Sequence, residues 1–363
     1  MGLVVTRLRL MDFRSFRELE LEPSPGTTIL VGPNASGKTN TVEALQLLTA
    51  AASFRGATPA QLVREGAEAA RACVRIEGDG RVLDVALDVR PGHRLWSRNG
   101  KRCQGADVAG TLLSVLFSPD DLSLVKGAAS LRRAEVDGFA RQAARGYANL
   151  LQAYQRAVEQ RNRLLREPEP DLALLDAWDA SVARGGATLL GARTRLFARL
   201  APRVEEAYGR ISGGEGLSCT YVCSLGPEAL TLGRDELTEL MSERLLAGRE
   251  EDLRRQRTGV GPHRDDVLLE VAGRDARAFA SQGQQRSVAL AFKVAEVALA
   301  EEVTGTRPLL LLDDVMSELD EGRRESIMAF VEGGIQTVVT TTNLGYFSAD
   351  VLDGARVVEV GRG

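Results

Sequence analysis

The stretch Gly32-Pro33-Asn34-Ala35-Ser36-Gly37-Lys38-Thr39 decides how this sequence is interpreted. It follows a short apolar segment at 28–31 and precedes an uninterrupted helical pattern at 39–52, the context in which a G-x-x-x-x-G-K-[ST] string binds phosphate. The glycines let successive backbone N–H groups curl around an anion at the helix N-terminus. The pattern therefore predicts a nucleotide site in which Lys38 neutralises the phosphates and the Thr39 hydroxyl binds Mg²⁺.

A second signal for phosphate chemistry lies near the other end of the chain, in Leu309-Leu310-Leu311-Leu312-Asp313-Asp314. A continuous apolar run is typical of a central strand in a parallel sheet. Asp313, at the carboxyl end of that strand, is placed to hold Mg²⁺ beside Thr39, and Asp314 to polarise an attacking water. Alternatively, the two acids cap the turn that follows. Because the two halves of the site lie far apart in sequence, we predict an α/β fold whose P-loop ATPase head is built from both chain ends.

A third motif opens a predicted helix over Gln284–Val303. Ser281, Gly283 and Gln284 place a hydroxyl, a glycine and free amides at the N-terminus of that helix, which makes a second anion site. A chain with one phosphate loop does not need two such sites. The economical interpretation is a dimer in which this patch closes on the nucleotide of the partner, and the alternative is that Ser281 is an ordinary N-cap.

The middle of the chain has a different hydrophobic period. From about residue 121 apolar residues recur at helical spacing, which predicts a mainly helical insertion of short helices, with Pro202 kinking or restarting one of them. One helix is predicted over 235–256 and a strand over 217–225. We expect a head formed by residues 1–120 and 251–363 and an arm formed by residues 121–250, with the strand near 217–225 belonging to the arm or to the head.

The overall charge argues against a nucleic-acid-binding protein, because 46 basic and 50 acidic side chains leave −4. The basic residues are nevertheless clustered. Between Arg90 and Arg102 there is no acid, and Asn99-Gly100 predicts the turn of a hairpin whose arms are Val82–Val89 and the residues after Arg102. Residues 131–166 carry +5 and residues 181–210 carry +4, whereas residues 301–325 carry −5. The candidate DNA-phosphate contacts are Arg94, Arg98, Lys101, Arg102, Arg132 and Arg133, the alternative for each arginine being a solvated surface.

Lysine is rare in this chain, with Lys38, Lys101, Lys126 and Lys293 as its four examples. A coding bias toward arginine explains most of this imbalance. Lys38 lies in the phosphate loop, where a compact ammonium suits the site. Lys101 lies at the tip of the predicted basic hairpin.

The cysteines and the hydropathy of the sequence indicate in which cellular compartment the protein works. The apolar runs are far shorter than the ~20 residues that span a bilayer, and four cysteines without a signal peptide suggest reduced thiols, so we expect a cytoplasmic protein without membrane contact. Cys219 and Cys223 have the spacing of half a zinc site, but His93 and His263 are the only imidazoles, which disfavours a metal there.

Together these motifs resemble the ATP-binding-cassette superfamily. Within it the chain is similar to the RecF family of bacterial recombinational repair, short-armed relatives of the SMC proteins. The resemblance is weakest in the helical middle. The segments that carry it are Leu8–Phe16, Gly32–Asn40, Arg55, Leu62–Gly66, Val260–Asp266, Ser281–Arg286, Leu312–Val315 and Ser317–Asp320.

The resemblance implies ATP and Mg²⁺ as cofactors. It places Arg14 and Asn40 with the phosphate loop at the nucleotide, Ser281, Gly283 and Gln284 at the γ-phosphate of the partner subunit, Ser317 and Asp320 in a loop that crosses the dimer interface, and Thr341 at the switch position. Pro119-Asp120-Asp121 takes the place of the Q-loop, where no clear glutamine is found. Many cassettes have a histidine after the strand equivalent to 337–339 and a glutamate where Asp314 stands. The threonines at 340–342 and the shorter carboxylate predict slow hydrolysis, with Asp314 and Lys38 as the catalytic pair.

The function implied is an ATP-dependent DNA clamp that dimerises on nucleotide and acts at gaps or single–double-strand junctions. On the same resemblance it cooperates with RecO and RecR to load RecA. The alternatives are the ATPase subunit of a membrane transporter and another P-loop switch that does not act on DNA. A GTPase is disfavoured because no lysine follows an asparagine, so the guanine-recognition string is missing.

Overall fold

The computed structural model describes residues 2–361, except for the side chains of residues 329–332. The first elements of the chain are β1 (Val4–Phe13), β2 (Phe16–Leu21), β3 (Thr27–Val31), α1 (Lys38–Ala50), α2 (Pro59–Leu62), β4 (Ala70–Gly78), β5 (Arg81–Arg90), β6 (His93–Arg98), β7 (Lys101–Cys103), α3 (Gly105–Val108) and β8 (Ser114–Phe117). The middle elements are α4 (Ala129–Ala143), α5 (Tyr147–Leu164), α6 (Leu172–Ile211), β9 (Leu217–Val222), α7 (Arg234–Ala247), α8 (Arg249–Arg255), β10 (Asp266–Val271), β11 (Arg274–Asp275) and α9 (Ala276–Phe279). The last are α10 (Gln282–Thr304), β12 (Leu309–Asp313), α11 (Glu321–Glu332), β13 (Thr337–Thr341), α12 (Ala349–Gly354) and β14 (Arg356–Glu359).

The chain divides into two compact units. The first unit contains Met1–Leu122 and Arg286–Gly363, and the second contains Ser123–Gln285. The expected arm ended at residue 250, whereas the second unit extends to Gln285. The reason is strand pairing, because β10 runs antiparallel to β9 along its whole length, from Asp266 opposite Val222 to Val271 opposite Leu217. The strand near 217–225 therefore lies in the second unit, together with residues 251–285.

The first unit contains a parallel sheet in the order β14-β3-β13-β12-β8. The apolar run at 309–312 forms the inner strand β12, flanked by β13 and β8, as its continuous hydrophobicity predicts. Helix α1 packs with fully buried Leu45 and Leu48 into the same core. Since all five strands are parallel, their carboxyl ends meet at one edge of the sheet, where ligands bind in open α/β folds.

A second sheet in the first unit is antiparallel, with the order β2-β1-β4-β5-β6-β7. Asn99-Gly100 forms the predicted two-residue turn, with φ of 50° and 74°, values that favour asparagine and glycine. The turn joins β6 to β7, so Val82–Val89 was wrongly predicted as its first arm. That segment lies in β5, which pairs with β6 on the other side.

The second unit contains longer helices than predicted. Helix α6 has 40 residues and is about 60 Å long at ~1.5 Å per residue. Pro202 lies inside α6 and does not end it, which corrects the expectation of short helices. The single helix predicted over 235–256 is instead α7 and α8, which are separated at Gly248.

Buried charge pairs connect the elements of the second unit. Arg193 of α6 is 2% exposed and binds both carboxylate oxygens of Asp137 at 2.8 and 3.0 Å. It also donates to the Tyr221 hydroxyl at 3.2 Å and to the Pro262 carbonyl at 2.6 Å. One guanidinium therefore ties α6 to α4, to β9 and to the loop before β10. Its planar fork of donors suits this task better than a lysine ammonium.

No helix in the described residues is long and apolar enough to cross a bilayer.

The Arg193 network predicts a large stability effect. Arg193→Ala leaves Asp137 charged and buried without its partner, which should lower the free energy of unfolding by about 3–5 kcal/mol. The measurement is urea unfolding followed by circular dichroism. Arg210→Ala is the control on the same helix, because its pair with Glu206 is exposed at 3.8 Å and should contribute at most about 1 kcal/mol. Equal destabilisation by the two variants would contradict the assignment.

Candidate nucleotide site

Space and backbone conformation explain the two glycines of the phosphate loop. Gly37 has φ 104°, and a Cβ there would lie 2.4 Å from the Phe16 ring. A Cβ on Gly32 would lie 2.4 Å from the Val360 carbonyl oxygen. The Gly32 N–H donates to the Thr341 carbonyl at 3.3 Å, so the loop starts directly from the parallel sheet. The backbone can therefore follow this path only without side chains at these two positions.

Two side chains of the loop fit a phosphate. The Lys38 ammonium donates to the Gly32 and Pro33 carbonyl oxygens, both at 2.8 Å, which holds it against the loop that α1 follows. The Ser36 hydroxyl is buried and has no hydrogen-bond partner among the residues that the structure describes. Burying a hydroxyl without a hydrogen-bond partner costs free energy. A phosphate oxygen held by the loop would accept a hydrogen bond from this hydroxyl. The residues present therefore fit the triphosphate of a nucleotide.

The predicted magnesium residues are in contact. The Thr39 hydroxyl donates to Asp313 Oδ1 at 3.0 Å across 274 positions of sequence, and the Thr340 hydroxyl donates to the same oxygen at 2.8 Å. Burial raises the pKa of Asp313 from its ordinary value, and these two hydroxyl donors oppose the rise. Within residues 2–361 no three His, Cys, Asp or Glu side chains cluster as a metal site. The pair fits Mg²⁺, which binds through one or two carboxylates together with substrate phosphates.

Asp314 has an unusual backbone conformation next to this pair. Its φ is 51°, in the left-handed region, and its N–H donates to the Thr340 hydroxyl at 2.8 Å. Burial raises the pKa of Asp314, an effect that nearby Lys38 opposes and nearby Glu318 reinforces. A carboxylate with a raised pKa accepts a proton more readily, which suits a group that orients or deprotonates water.

These residues line one cleft of about 540 Å³. Its lining confirms that the loop and the two acids meet, and it adds residues that the sequence did not assign to the site, notably Ser15, Phe54 and Ser118. Ser118 could have been found from the carboxyl end of its strand, whereas no signal marked Phe54. The lining residues are Ser15, Asn34, Ala35, Gly37, Lys38, Thr39, Asn40, Phe54, Arg55, Ser118, Pro119, Asp120, Asp313 and Asp314.

Two expected site residues, at the nucleotide and at the switch position, make other contacts in the structure. Arg14 does not line the cleft, since its guanidinium binds both oxygens of the fully buried Glu43 at 2.8 and 2.7 Å. It therefore holds α1 in place, and Arg55 faces the cleft instead. The Thr341 hydroxyl is bonded within its own turn, to Asn343. The neighbouring residue Thr340 contacts Asp313, because the parallel register places those two residues opposite each other.

The third motif forms a reciprocal cap on α10. The Ser281 hydroxyl accepts the Gln284 N–H at 3.2 Å, and the Gln284 side chain accepts the Ser281 N–H at 2.8 Å. The Gln284 amide also donates to Glu215 at 2.8 Å. Ser281 is exposed and Gly283 half-buried. Ser281 is therefore the N-cap of α10.

The predicted interface loop is held locally. The Ser317 hydroxyl donates to the Asp314 carbonyl at 2.9 Å. Asp320 accepts the Arg323 N–H at 3.1 Å and so begins α11.

The candidate DNA contacts separate into buried and exposed arginines and lysines. Arg132 is 4% exposed, pairs with Asp266 at 2.7 and 2.9 Å, and donates to three carbonyls, so its assignment to DNA was wrong. Half-buried Arg133 donates to the Asp265 carbonyl at 2.5 Å, and burial lowers its pKa. Half-buried Arg94 donates to the Ala57 carbonyl. Arg98, Lys101 and Arg102 are exposed around the Asn99-Gly100 turn.

Comparison with known proteins supports the same interpretation. A family model described as the RecF/RecN/SMC N terminal domain matches residues 4–360. The DNA replication and repair protein RecF of Gloeobacter violaceus is 40% identical over 366 residues, which cover 98% of this chain and 96% of that protein. The DNA replication and repair protein RecF of Moorella thermoacetica is 35% identical over 365 residues, which cover 100% of this chain and 96% of that protein.

Solved structures agree. The recombination mediator protein RecF-ATPrS in the RecFOR pathway has a TM-score of 0.92 at 30% identity and covers 100% of this chain and 97% of its own. An Smc head domain from Pyrococcus furiosus has a TM-score of 0.56 at 17% identity, which shows a shared fold. The predicted fold class, an ATPase head with an inserted helical arm, is thereby confirmed. The chain belongs to the RecF family, within the RecF/RecN/SMC group of ATPases.

Proposed function

We propose that this chain is an ATP-dependent DNA-binding clamp of recombinational repair, in which ATP closes a homodimer on DNA and slow hydrolysis releases it. The observation that carries the proposal is the 3.0 Å bond from Thr39 to Asp313, in the same cleft as Lys38. Such a cleft holds a nucleoside triphosphate with its metal ion. The names of the relatives, DNA replication and repair protein and recombination mediator protein, support DNA repair as the process.

The residues of the cleft have separable roles toward ATP and Mg²⁺. When bound, ATP supplies the phosphoanhydride whose cleavage ends the closed state. Lys38 and the loop N–H groups neutralise and orient its phosphates. Thr39 and Asp313 hold the metal ion, and Asp314 orients the attacking water.

Hydrolysis by this site should be slow. A slow rate suits a protein in which ATP sets how long the closed state lasts better than one that moves along DNA by repeated hydrolysis. Thr340 and Thr341 stand where many cassettes carry a histidine, and both hydroxyls are already engaged, with Asp313 and with Asn343. Neither threonine can act as a base near neutral pH. Asp314 is shorter than the usual glutamate and reaches less far into the cleft.

The dimer is supported by motifs that do not line the nucleotide cleft of their own subunit. Ser281, Gly283 and Gln284 lie at an accessible helix N-terminus, which can bind the γ-phosphate of a partner's ATP. Ser317 and Asp320 lie in the segment that follows Asp314, and the Ser317 hydroxyl donates to the Asp314 carbonyl, so a partner contact there would adjoin the site. Both features lead us to propose a head-to-head arrangement.

DNA binding is supported by the exposed basic turn. Arg98, Lys101 and Arg102 surround a two-residue hairpin tip and can neutralise backbone phosphates without reading bases. Action at gapped or junction DNA, cooperation with RecO and RecR, RecA loading and a cytoplasmic location are proposals that follow from the family.

Loss of the phosphate-loop ammonium should abolish ATP-driven dimerisation. Lys38→Met removes the charge that neutralises the phosphates. The measurement is sedimentation with ATP, ADP or no nucleotide, with and without duplex DNA. The wild type should form a dimer with ATP, and the Lys38 variant should not. Lys126→Met, at an exposed lysine, is the control and should dimerise normally. An ATP-induced dimer of the Lys38 variant would defeat the assignment.

Obstruction of the α10 N-terminus should separate ATP binding from dimerisation. Ser281→Arg adds bulk where the partner's nucleotide would sit, so ATP binding by the monomer should persist while the dimer is lost. Ser281→Ala removes the hydroxyl without adding bulk; the lost cap costs about 1 kcal/mol, and the variant should dimerise more weakly than the wild type but more strongly than the arginine variant. Fluorescent-nucleotide titration and sedimentation give the two readouts, and equal loss of both in the arginine variant would indicate misfolding instead.

Charge reversal at the basic turn should weaken DNA binding. The triple variant Arg98→Glu, Lys101→Glu and Arg102→Glu should lower affinity and reduce the slope of log affinity against log salt by about 3 if each residue contacts one phosphate. Fluorescence anisotropy with ATP measures this. The control reverses the same number of exposed arginines at 254, 255 and 257. A similar loss in both triples would place the DNA elsewhere.

A further inference from the structure

Lys293 is a lysine in largely apolar surroundings, where an aliphatic side chain would be expected. Its side chain is 9% exposed and lies on the face of α10 that packs against the parallel sheet. It borders a small apolar cavity of about 20 Å³ together with Leu290, Val294, Phe117, Leu310 and Leu312. An aliphatic residue would fill this position at lower cost, because a buried ion pair seldom exceeds a hydrophobic replacement in stability.

The ammonium group of Lys293 pairs with a carboxylate from another part of the chain. Nζ lies 3.1 Å from Asp121 Oδ1 and 3.9 Å from Glu296 Oε2. The other oxygen of Asp121 accepts the Ser118 N–H at 2.7 Å and the Ser118 hydroxyl at 3.1 Å. The Asp121 N–H in turn donates to the Ser118 carbonyl at 3.1 Å. Lys293 therefore holds the carboxylate that closes the turn 118–121.

This turn forms part of the wall of the nucleotide cleft. Ser118, Pro119 and Asp120 line the cleft together with Asp313 and Asp314. Strand β8 ends at Phe117, which lies opposite Leu312 in the parallel register, so Ser118 follows at the level of Asp313. The wall thus stands at the metal side of the site.

We propose that Lys293 is a positioning residue for ATP hydrolysis, which acts through Asp121 on the wall segment 118–120; this rests on the proposed ATPase function. Without the ammonium, the half-buried carboxylate of Asp121 and the buried carboxylate of Glu296 would lose the cation that lies between them. Asp121 would then turn toward solvent and release both Ser118 donors. The wall next to the metal ion would shift, and small displacements of positioning groups reduce rates strongly.

The test is single-turnover ATP hydrolysis by the full chain with enzyme in excess, in parallel with fluorescent-ADP binding without Mg²⁺. Lys293→Met should slow hydrolysis about tenfold, while ADP affinity, which depends on the phosphate loop, changes less than twofold. Lys293→Met combined with Asp121→Asn should recover most of the rate, because the neutral amide oxygen can still accept from Ser118. Glu296→Gln is the control in the same helix, since it leaves the Lys293–Asp121 pair in place and should hydrolyse at the wild-type rate.

A merely structural role predicts a different pattern. If Lys293→Met lowers the melting temperature but hydrolyses ATP at the wild-type rate, the proposal is wrong. The same conclusion follows if the double variant is as slow as the single one, or if ADP binding and hydrolysis fall together. Failure of the ATPase function itself would be visible separately, as wild-type protein no faster than Lys38→Met.

Discussion

The hydrogen bond between Thr39 and Asp313 depends on the whole arrangement of the first unit. It exists because strands from the two ends of the chain pair in parallel, with β3 beside β13 and β13 beside β12. That order aligns the carboxyl ends of the strands, so the phosphate loop and the two acids share one edge. The bond is individually weak, and its importance is that it forms only when both chain ends have folded onto the same sheet.

The second unit is held together by a different kind of contact. Arg161 is fully buried and contacts Asp179, Asp252 and the Thr258 hydroxyl, which belong to three separate segments of the chain. Arg193 does the same through Asp137, Tyr221 and Pro262. Guanidinium groups suit such positions because several donors lie in one plane. Part of the basic charge counted in the helical segments is therefore internal and is neutralised by aspartate, so it is not available to DNA.

The pattern of the sequence predicted much of the candidate site because the site uses local motifs. The phosphate loop, the apolar strand with its two acids and the Asn99-Gly100 turn are each specified by neighbouring residues, and the structure contains all three. Arg132 was misassigned to DNA, and Arg14 was wrongly expected to line the cleft, because both pair with residues distant in sequence. Their partners are Asp266 and Glu43, and neither pairing can be derived from the local pattern.

The lysines also differ in whether the sequence or the tertiary structure reveals their roles. The abundance of arginine had an adequate compositional explanation, and only the position of Lys38 in its loop was informative in sequence. Lys293 looks like an ordinary residue of an amphipathic helix until the helix is placed against the sheet. Then its side chain is found beside leucines and valines, with its ammonium opposite a carboxylate from a turn at the cleft.

The sequence by itself determined the nucleotide chemistry, the α/β head formed from both chain ends and the family, because glycine geometry, hydrophobic period and phosphate-binding motifs are local properties. Only the tertiary structure decided the unit boundary at Gln285, the length of α6 past Pro202 and which arginines remain exposed. Those outcomes depend on strand register and on which charged groups meet after folding. Such contacts join residues far apart in the chain. Their free energy depends on both partners together, and no single segment of the sequence contains both.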